Sequence, residues 1–317
     1  MADAERSSNR AVELALLGLL AFLWGASYPL LKVAVAEIPP LTVIAVRVAV
    51  AAAVLTAVAL WQGHLLPREG GIWRALLLQA ICNSIGAWTL LAWGQRHVDA
   101  GLAGVLNSTS PIFVFAMTWL WTRHEAVNGR KLIGALLGLA GVVLIIGIDA
   151  IQGLGREVLA QAAVLASAVL YAVAAIYGKR FAGQPPAVTA AGTMIWATVC
   201  LAPLSLAVDQ PWTLRPSPAA IAVTAALAVF STALALLLYF RLVRTLGSMG
   251  VASQSYLRAG ISVVLGMVLL GETISWPVGL GLVAIVLGVA AINAAPARDS
   301  RRKHDPHHIV HRPTRLP

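Results

Sequence analysis

Ten apolar runs constrain this chain more than any other feature of it. They lie at residues 11–31, 39–60, 72–94, 100–121, 132–148, 158–178, 187–208, 218–240, 248–270 and 277–295. A helix of roughly 17–25 residues crosses a hydrocarbon layer about 30 Å thick, so each run is read as one membrane span. The segments between them are short and carry the Pro, Gly and charged residues, as in LPREGG (66–71) and DQPWTLRPSP (209–218). Composition points the same way: 11% of the residues are charged, against about 25% in a soluble domain. Arg6 and Arg10 precede the first run in the manner of a signal peptide, but it stays apolar to Leu31 with no A-x-A site and is read as a span. Cys82 and Cys200 fall inside runs and carry no redox information.

The net charge of +10 is a topology signal and gives no reason to expect nucleic acid as a partner. With the N-terminus placed in the cytoplasm, 17 of the 23 Lys and Arg residues fall on that side, six of them between Arg298 and Arg315. The other side receives Lys32, Arg96, Arg156 and Arg215, and Arg47 and Arg258 lie within spans. This bias predicts that both termini are cytoplasmic, next to anionic membrane lipids.

Shifted by 147 residues, the chain falls on itself. AFLWGASYPLLK (21–32) meets AVLYAVAAIYGK (168–179), Pro39 meets Pro186, Glu125 meets Glu272, Gly134 meets Gly281 and Gly141 meets Gly288. Each half holds five spans, an odd number, so the second half enters the membrane from the opposite face. The predicted fold is an all-α membrane protein of ten transmembrane helices in two inverted five-helix repeats. The repeats cover residues 1–148 and 149–296, and a basic, disordered cytoplasmic tail covers 297–317. Inverted repeats suit a carrier, because two similar halves that exchange conformations expose one central site to each face in turn.

The motifs WGASYP (24–29), the arginine in AVRVAVAA (45–52), WGQRHVDAGLAGVLNSTSPIFVF (93–115) and LIGALLGLAGVVLI (132–145) resemble the EamA-type family of drug/metabolite transporters. The second half repeats the resemblance with SMGVASQSYLRAGISVVLGMVLLGE (248–272) and VGLGLVAIVLGV (278–289), so it covers residues 11–295. It implies a ten-helix carrier of small polar metabolites, often amino acids, frequently exporting them across the inner membrane. It also implies structural roles for Arg47 and for Glu125 and Glu272, the last two bonding to loop or helix-end amides. The sequence departs from the family where a tyrosine-leucine-x-proline pattern reads Tyr256, Leu257, Arg258, Ala259. At the repeat offset Arg258 falls on Pro111, so one half keeps a structural proline kink that the other lacks.

Arg258 poses the sharpest chemical question, because an ionised group in an apolar helix costs roughly 2.5–3.5 kcal/mol even on lenient scales. All 13 Asp and Glu residues fall in tails, loops or span ends, which leaves backbone, polar side chains, water or an incoming anion as its partners. A substrate carboxylate suits the guanidinium fork; helix packing is the rival role. Gln79 and Asn83, Asn107 and Pro111, and Gln254 and Arg258 are each four residues apart and share helix faces. Such polar stripes turn to the bundle interior, either to line a cavity or to join helices. The expected substrate-binding residues are Arg258, Gln254, Tyr256, Asn83, Trp88, Asn107, Trp24, Tyr28 and Tyr171. Trp73, Trp121, Trp212 and Trp276 stand near span ends as interface anchors. Gly134, Gly138 and Gly141 give one face of their span a close approach, to a neighbouring helix or to a second copy in a homodimer.

Four of the seven histidines lie in the tail RRKHDPHHIVHRPTRLP (301–317), which is too polar to fold; no metal or cofactor is expected. The chain has no nucleophile elbow, no H-E-x-x-H and no acid pair at mid-membrane, so an enzyme is not expected. The functional expectation is a secondary transporter of amino acids or other carboxylate-bearing metabolites, driven without an obligatory proton. A multidrug or organic-solute exporter and a non-transporting membrane scaffold are the alternatives.

Overall fold

The structure is a computed structural model that describes residues 2–117, 120, 129–151, 155–181, 183–239, 241–242 and 254–293. Among the described residues it is helical throughout, without strands. The helices are α1 (Ala2–Glu37), α2 (Pro40–Trp61), α3 (Gly70–Gly94), α4 (Ala100–Asn107), α5 (Ser110–Met117), α6 (Gly129–Ile151), α7 (Gly155–Gly178), α8 (Pro186–Val208), α9 (Pro218–Tyr239), α10 (Gln254–Leu270) and α11 (Trp276–Asn293). Among the described residues, seven segments are long and apolar enough to cross a membrane: Ala11–Glu37, Pro40–Trp61, Gly70–Gly94, Ala100–Met117, Glu157–Gly178, Pro186–Val208 and Pro218–Tyr239. Three shorter apolar helices, Leu132–Gly141, Leu257–Leu270 and Trp276–Gly288, fall in the other three expected spans.

The fourth expected span is two helices, and proline chemistry explains the break. Pro111 has no N–H to donate to the Asn107 carbonyl four residues earlier, and its ring crowds that carbonyl. Instead the backbone turns at Ser108 and Thr109, whose hydroxyls donate to the carbonyls of Gly104 and Leu106 at 2.7 and 2.6 Å. At Arg258, the repeat counterpart of Pro111, α10 runs unbroken. One feature recurs in both halves. Ile81–Gly86 in α3 and Val229–Leu234 in α9 are both wound as π-helix. They stand 148 residues apart, one more than the sequence offset.

Packing is closest for α6 against α11, α2 against α8 and α1 against α10. The first pair meets through glycines in a reciprocal way. A Cβ on Gly141 would lie 2.7 Å from the Gly281 carbonyl, and one on Gly288 would lie 2.5 Å from the Gly134 carbonyl. Gly134 and Gly281, and Gly141 and Gly288, are the pairs that coincide in the repeat. A Cβ on Gly138, on the same face of α6, would meet the Ile112 side chain.

One rim of the bundle is held by carboxylates that cap neighbouring helices. Glu272 accepts from the amides of Ala100 and Gly101 at 2.6 and 2.9 Å, at the start of α4. Asp209 accepts from the amide and hydroxyl of Thr42, both at 2.8 Å, at the start of α2. Glu37 does the same for Ser217, at 2.7 and 2.8 Å, at the start of α9. Each acid answers N-terminal amides that have no partner within their own helix, where the helix dipole also favours negative charge.

Candidate functional site

Six side chains from six helices converge in the bundle interior. Arg47 of α2 is buried at 5% exposure. Its Nε donates to Thr232 Oγ1 at 2.6 Å and Nη2 to the Ser231 carbonyl at 3.5 Å, both in the π segment of α9. The wider π turn makes this contact local, since it displaces backbone groups from the ordinary helical ladder. The guanidinium stacks over Trp88 of α3, 4.3 Å from the ring centroid, a cation–π contact that strengthens when water is excluded. Arg47 thus has a hydroxyl, a carbonyl and an indole face as partners.

Tyr28 of α1 and Tyr171 of α7 lie within electrostatic range of both Arg47 and Arg258, which places all four near one another. The Trp88 side chain reaches Tyr171. Tyr28 donates its hydroxyl to Asn107 Oδ1 at 2.9 Å, Asn107 Nδ2 donates to Ser167 Oγ at 2.8 Å, and Ser167 donates to the Val164 carbonyl at 2.8 Å. This buried chain ties α1 to the broken end of α4 and then to α7. Gln95 fixes its start by donating to the Tyr28 carbonyl at 2.9 Å.

Arg258 is different. Its guanidinium is half-buried, and Nε is shielded from solvent with no hydrogen-bond partner among the described residues. The backbone holds it in place, because α10 is pressed between glycines of its neighbours. A Cβ on Gly25 would meet the Arg258 carbonyl at 3.1 Å, and Gly104 is in close contact with Ser262. An ion pair joins Arg241 to Glu13 at 2.9 Å, but neither Arg47 nor Arg258 meets a carboxylate among the described residues. The interior therefore carries two cations, one answered by dipoles and an aromatic face, the other open.

The structure brings Tyr28, Arg47, Trp88, Asn107, Tyr171 and Arg258 together and places Gln254, buried, one turn before Arg258 on α10. Trp24, one turn before Tyr28 on α1, has its ring 5.5 Å from Tyr239 in the apolar contact of α1 with α9. Asn83 donates to its neighbour Ser84 at 3.1 Å in the π segment of α3. Tyr256 lies on α10, its side chain outside the described residues, and Glu125 lies outside them altogether. Thr232, Ser231, Ser167 and Gln95 were not anticipated. Isolated hydroxyls in apolar spans commonly bond their own backbone, so sequence holds no signal that separates these from the rest.

A second space, a pocket of about 320 Å³, opens at the rim beside His97, Asp99, Glu157, Gln161 and Glu272, with Met267 as part of its wall. None of the arginines lines it. Among the described residues no group of three or more His, Cys, Asp or Glu is placed to hold a metal.

Similarity to known proteins follows the same outline. The model of the EamA-like transporter family matches residues 12–147 and again 158–294. The uncharacterized inner membrane transporter YedA of Escherichia coli K12 is 27% identical over 275 residues, 86% of this chain and 88% of that one. The uncharacterized transporter YvbV of Bacillus subtilis is 30% identical over 287 residues, covering 88% and 90%. A Streptantibioticus cattleyicolor protein named as a probable terminal-alkyne amino-acid exporter is 27% identical over 293 residues, covering 89% and 92%. A solved crystal structure with 22% identity shares the fold, with a TM-score of 0.62 over 87% of this chain and 96% of that chain.

Proposed function

We propose, for a chain that belongs to the EamA-like transporter family, that it moves small polar metabolites bearing a carboxylate, amino acids among them, by alternating access. General membrane transport follows from the family. The finer reading takes the chain as ten spans in two inverted repeats, in the inner membrane with both termini cytoplasmic. The double family match, the reciprocal glycine contacts of α6 and α11 and the paired π segments support the repeat. The charge bias supports the orientation.

Arg258 carries the substrate class. It is a half-buried cation close to Tyr28 and Tyr171, with its Nε unanswered by the described residues, and a carboxylate is the partner its fork fits. Arg47 shapes the opposite wall and keeps Trp88 in place. Trp88, Tyr28 and Tyr171 then meet the apolar part of the substrate. The Streptantibioticus relative's printed name supports an amino-acid cargo and export as the direction.

The same aromatic wall favours a second reading, export of bulkier organic solutes. A thermal-shift screen of the purified full chain separates the two, since a ligand bound to the folded state raises its apparent stability. L-glutamate, L-aspartate, succinate, L-leucine and ethidium are the test compounds. Stabilisation by the carboxylates that is lost in Arg258→Gln supports the proposal, and stabilisation by ethidium alone replaces it with the second reading. If no compound stabilises the protein and none exchanges in liposomes, the carboxylate-cargo reading falls.

A further inference from the structure

Arg258 has a consequence for the transport cycle as well as for the cargo. An alternating-access carrier returns to its starting face through an occluded state, in which the central site is cut off from water on both sides. Arg47 enters that state with its partners already in place: Thr232 Oγ1, the Ser231 carbonyl and the Trp88 face. Arg258 does not. Of the groups within its electrostatic range, the Tyr28 hydroxyl is already engaged with Asn107, whose amide is in turn engaged with Ser167. The described carboxylates that bond protein groups do so at the bundle rim or with Arg241: Glu272, Asp209 and Glu37 cap helices and Glu13 pairs with Arg241.

We infer that the empty carrier does not recross the membrane at a useful rate and that the protein is an obligatory exchanger of anions. This rests on the reading of Arg258 as the anion-binding group. When the site is loaded, the substrate anion supplies the missing acceptor, and occlusion buries a neutral pair. When it is empty, occlusion buries a guanidinium that no described carboxylate answers, and desolvation of an unpaired ion opposes it. Return is then restricted to carriers that have picked up an anion on the far side. The barrier against empty return comes from the cargo site itself and needs no coupling ion.

Proteoliposomes holding the full chain test this, with the potential clamped at zero by valinomycin and equal potassium. Uptake of radiolabelled L-glutamate and of radiolabelled succinate is followed into vesicles preloaded with the same unlabelled compound, and into vesicles preloaded with mannitol. For a transported compound, uptake into the mannitol vesicles is expected to be at least about tenfold slower, equivalent to about 1.4 kcal/mol of extra barrier for empty return. In Arg258→Gln, which can still donate hydrogen bonds but carries no charge, the residual transport is expected to lose this difference. Equal rates into both vesicle types for the wild type overturn obligatory exchange and leave the transport reading standing. A wild-type ratio retained by a transporting Arg258→Gln overturns the role of this charge. Absence of uptake of both compounds into all vesicles overturns the anion-transport reading, and the exchange inference falls with it.

Discussion

At the scale of single residues, two arginines of similar sequence context have opposite fates. Arg47 lies in an apolar run as Arg258 does, yet it is satisfied by a hydroxyl, a carbonyl and an indole face. Thr232→Val tests this assignment, because it keeps the shape and removes the acceptor of the 2.6 Å bond. A hydrogen bond to a charged group contributes about 1.5–3 kcal/mol, so the apparent melting temperature of the detergent-purified variant is expected to fall. An unchanged midpoint contradicts the assignment. Tyr28→Phe takes one donor from the Tyr28–Asn107–Ser167 chain and strands the Asn107 carbonyl oxygen. A stranded buried acceptor costs about 1–3 kcal/mol, again read as a lower midpoint. Asn107 was legible from sequence as one of a polar pair four residues apart, but its partner was not. Tyr28 and Asn107 are 79 residues apart, and no local pattern records a contact of that range.

Whole helices are positioned by their ends and by glycine. Glu272 answers two amides at the start of α4, and Glu272→Gln leaves one amide oxygen for both while removing the charge that complements the helix dipole. Loss of a cap costs about 0.5–2 kcal/mol; the variant's midpoint is expected to fall accordingly, and one that stays at the wild-type value excludes the capping role. Gly288→Val forces a Cβ to within 2.5 Å of the Gly134 carbonyl and 2.7 Å of the Gly138 nitrogen. That backbone cannot yield as a flexible side chain would, so α6 and α11 must separate. Overpacking of this kind costs about 1–3 kcal/mol. Gly18→Ala is the control, since nothing lies within 4 Å of its Cβ, and its stability is expected to hold or rise. Helix existence was legible because a span must be long and apolar. The break at Ser108–Thr109 was foreshadowed by Pro111, whereas the two π segments left no mark in the sequence, because they depend on how α3 and α9 meet their neighbours.

On the scale of the whole molecule, the charge bias makes a prediction that the bundle's internal contacts do not address. A reporter fused after Pro317 is expected on the cytoplasmic side and one inserted beside Gln152 on the opposite side; reversed labelling at either place refutes the inverted-repeat reading. The sequence by itself determined the membrane class, the apolar runs, the repeat at 147 residues and the family, because each depends on composition or on order along the chain. It also set apart Arg258 as a charge with no acid in its own span. Only the tertiary structure decided which polar residues share a space. It set Trp24 against Tyr239, brought Arg47 under Trp88 and gave the rim acids to helix ends. The physical reason is that helical spacing specifies which side chains share a face, while the partner of that face is chosen by close approach between distant helices, which glycines at Gly25, Gly104 and Gly141 permit.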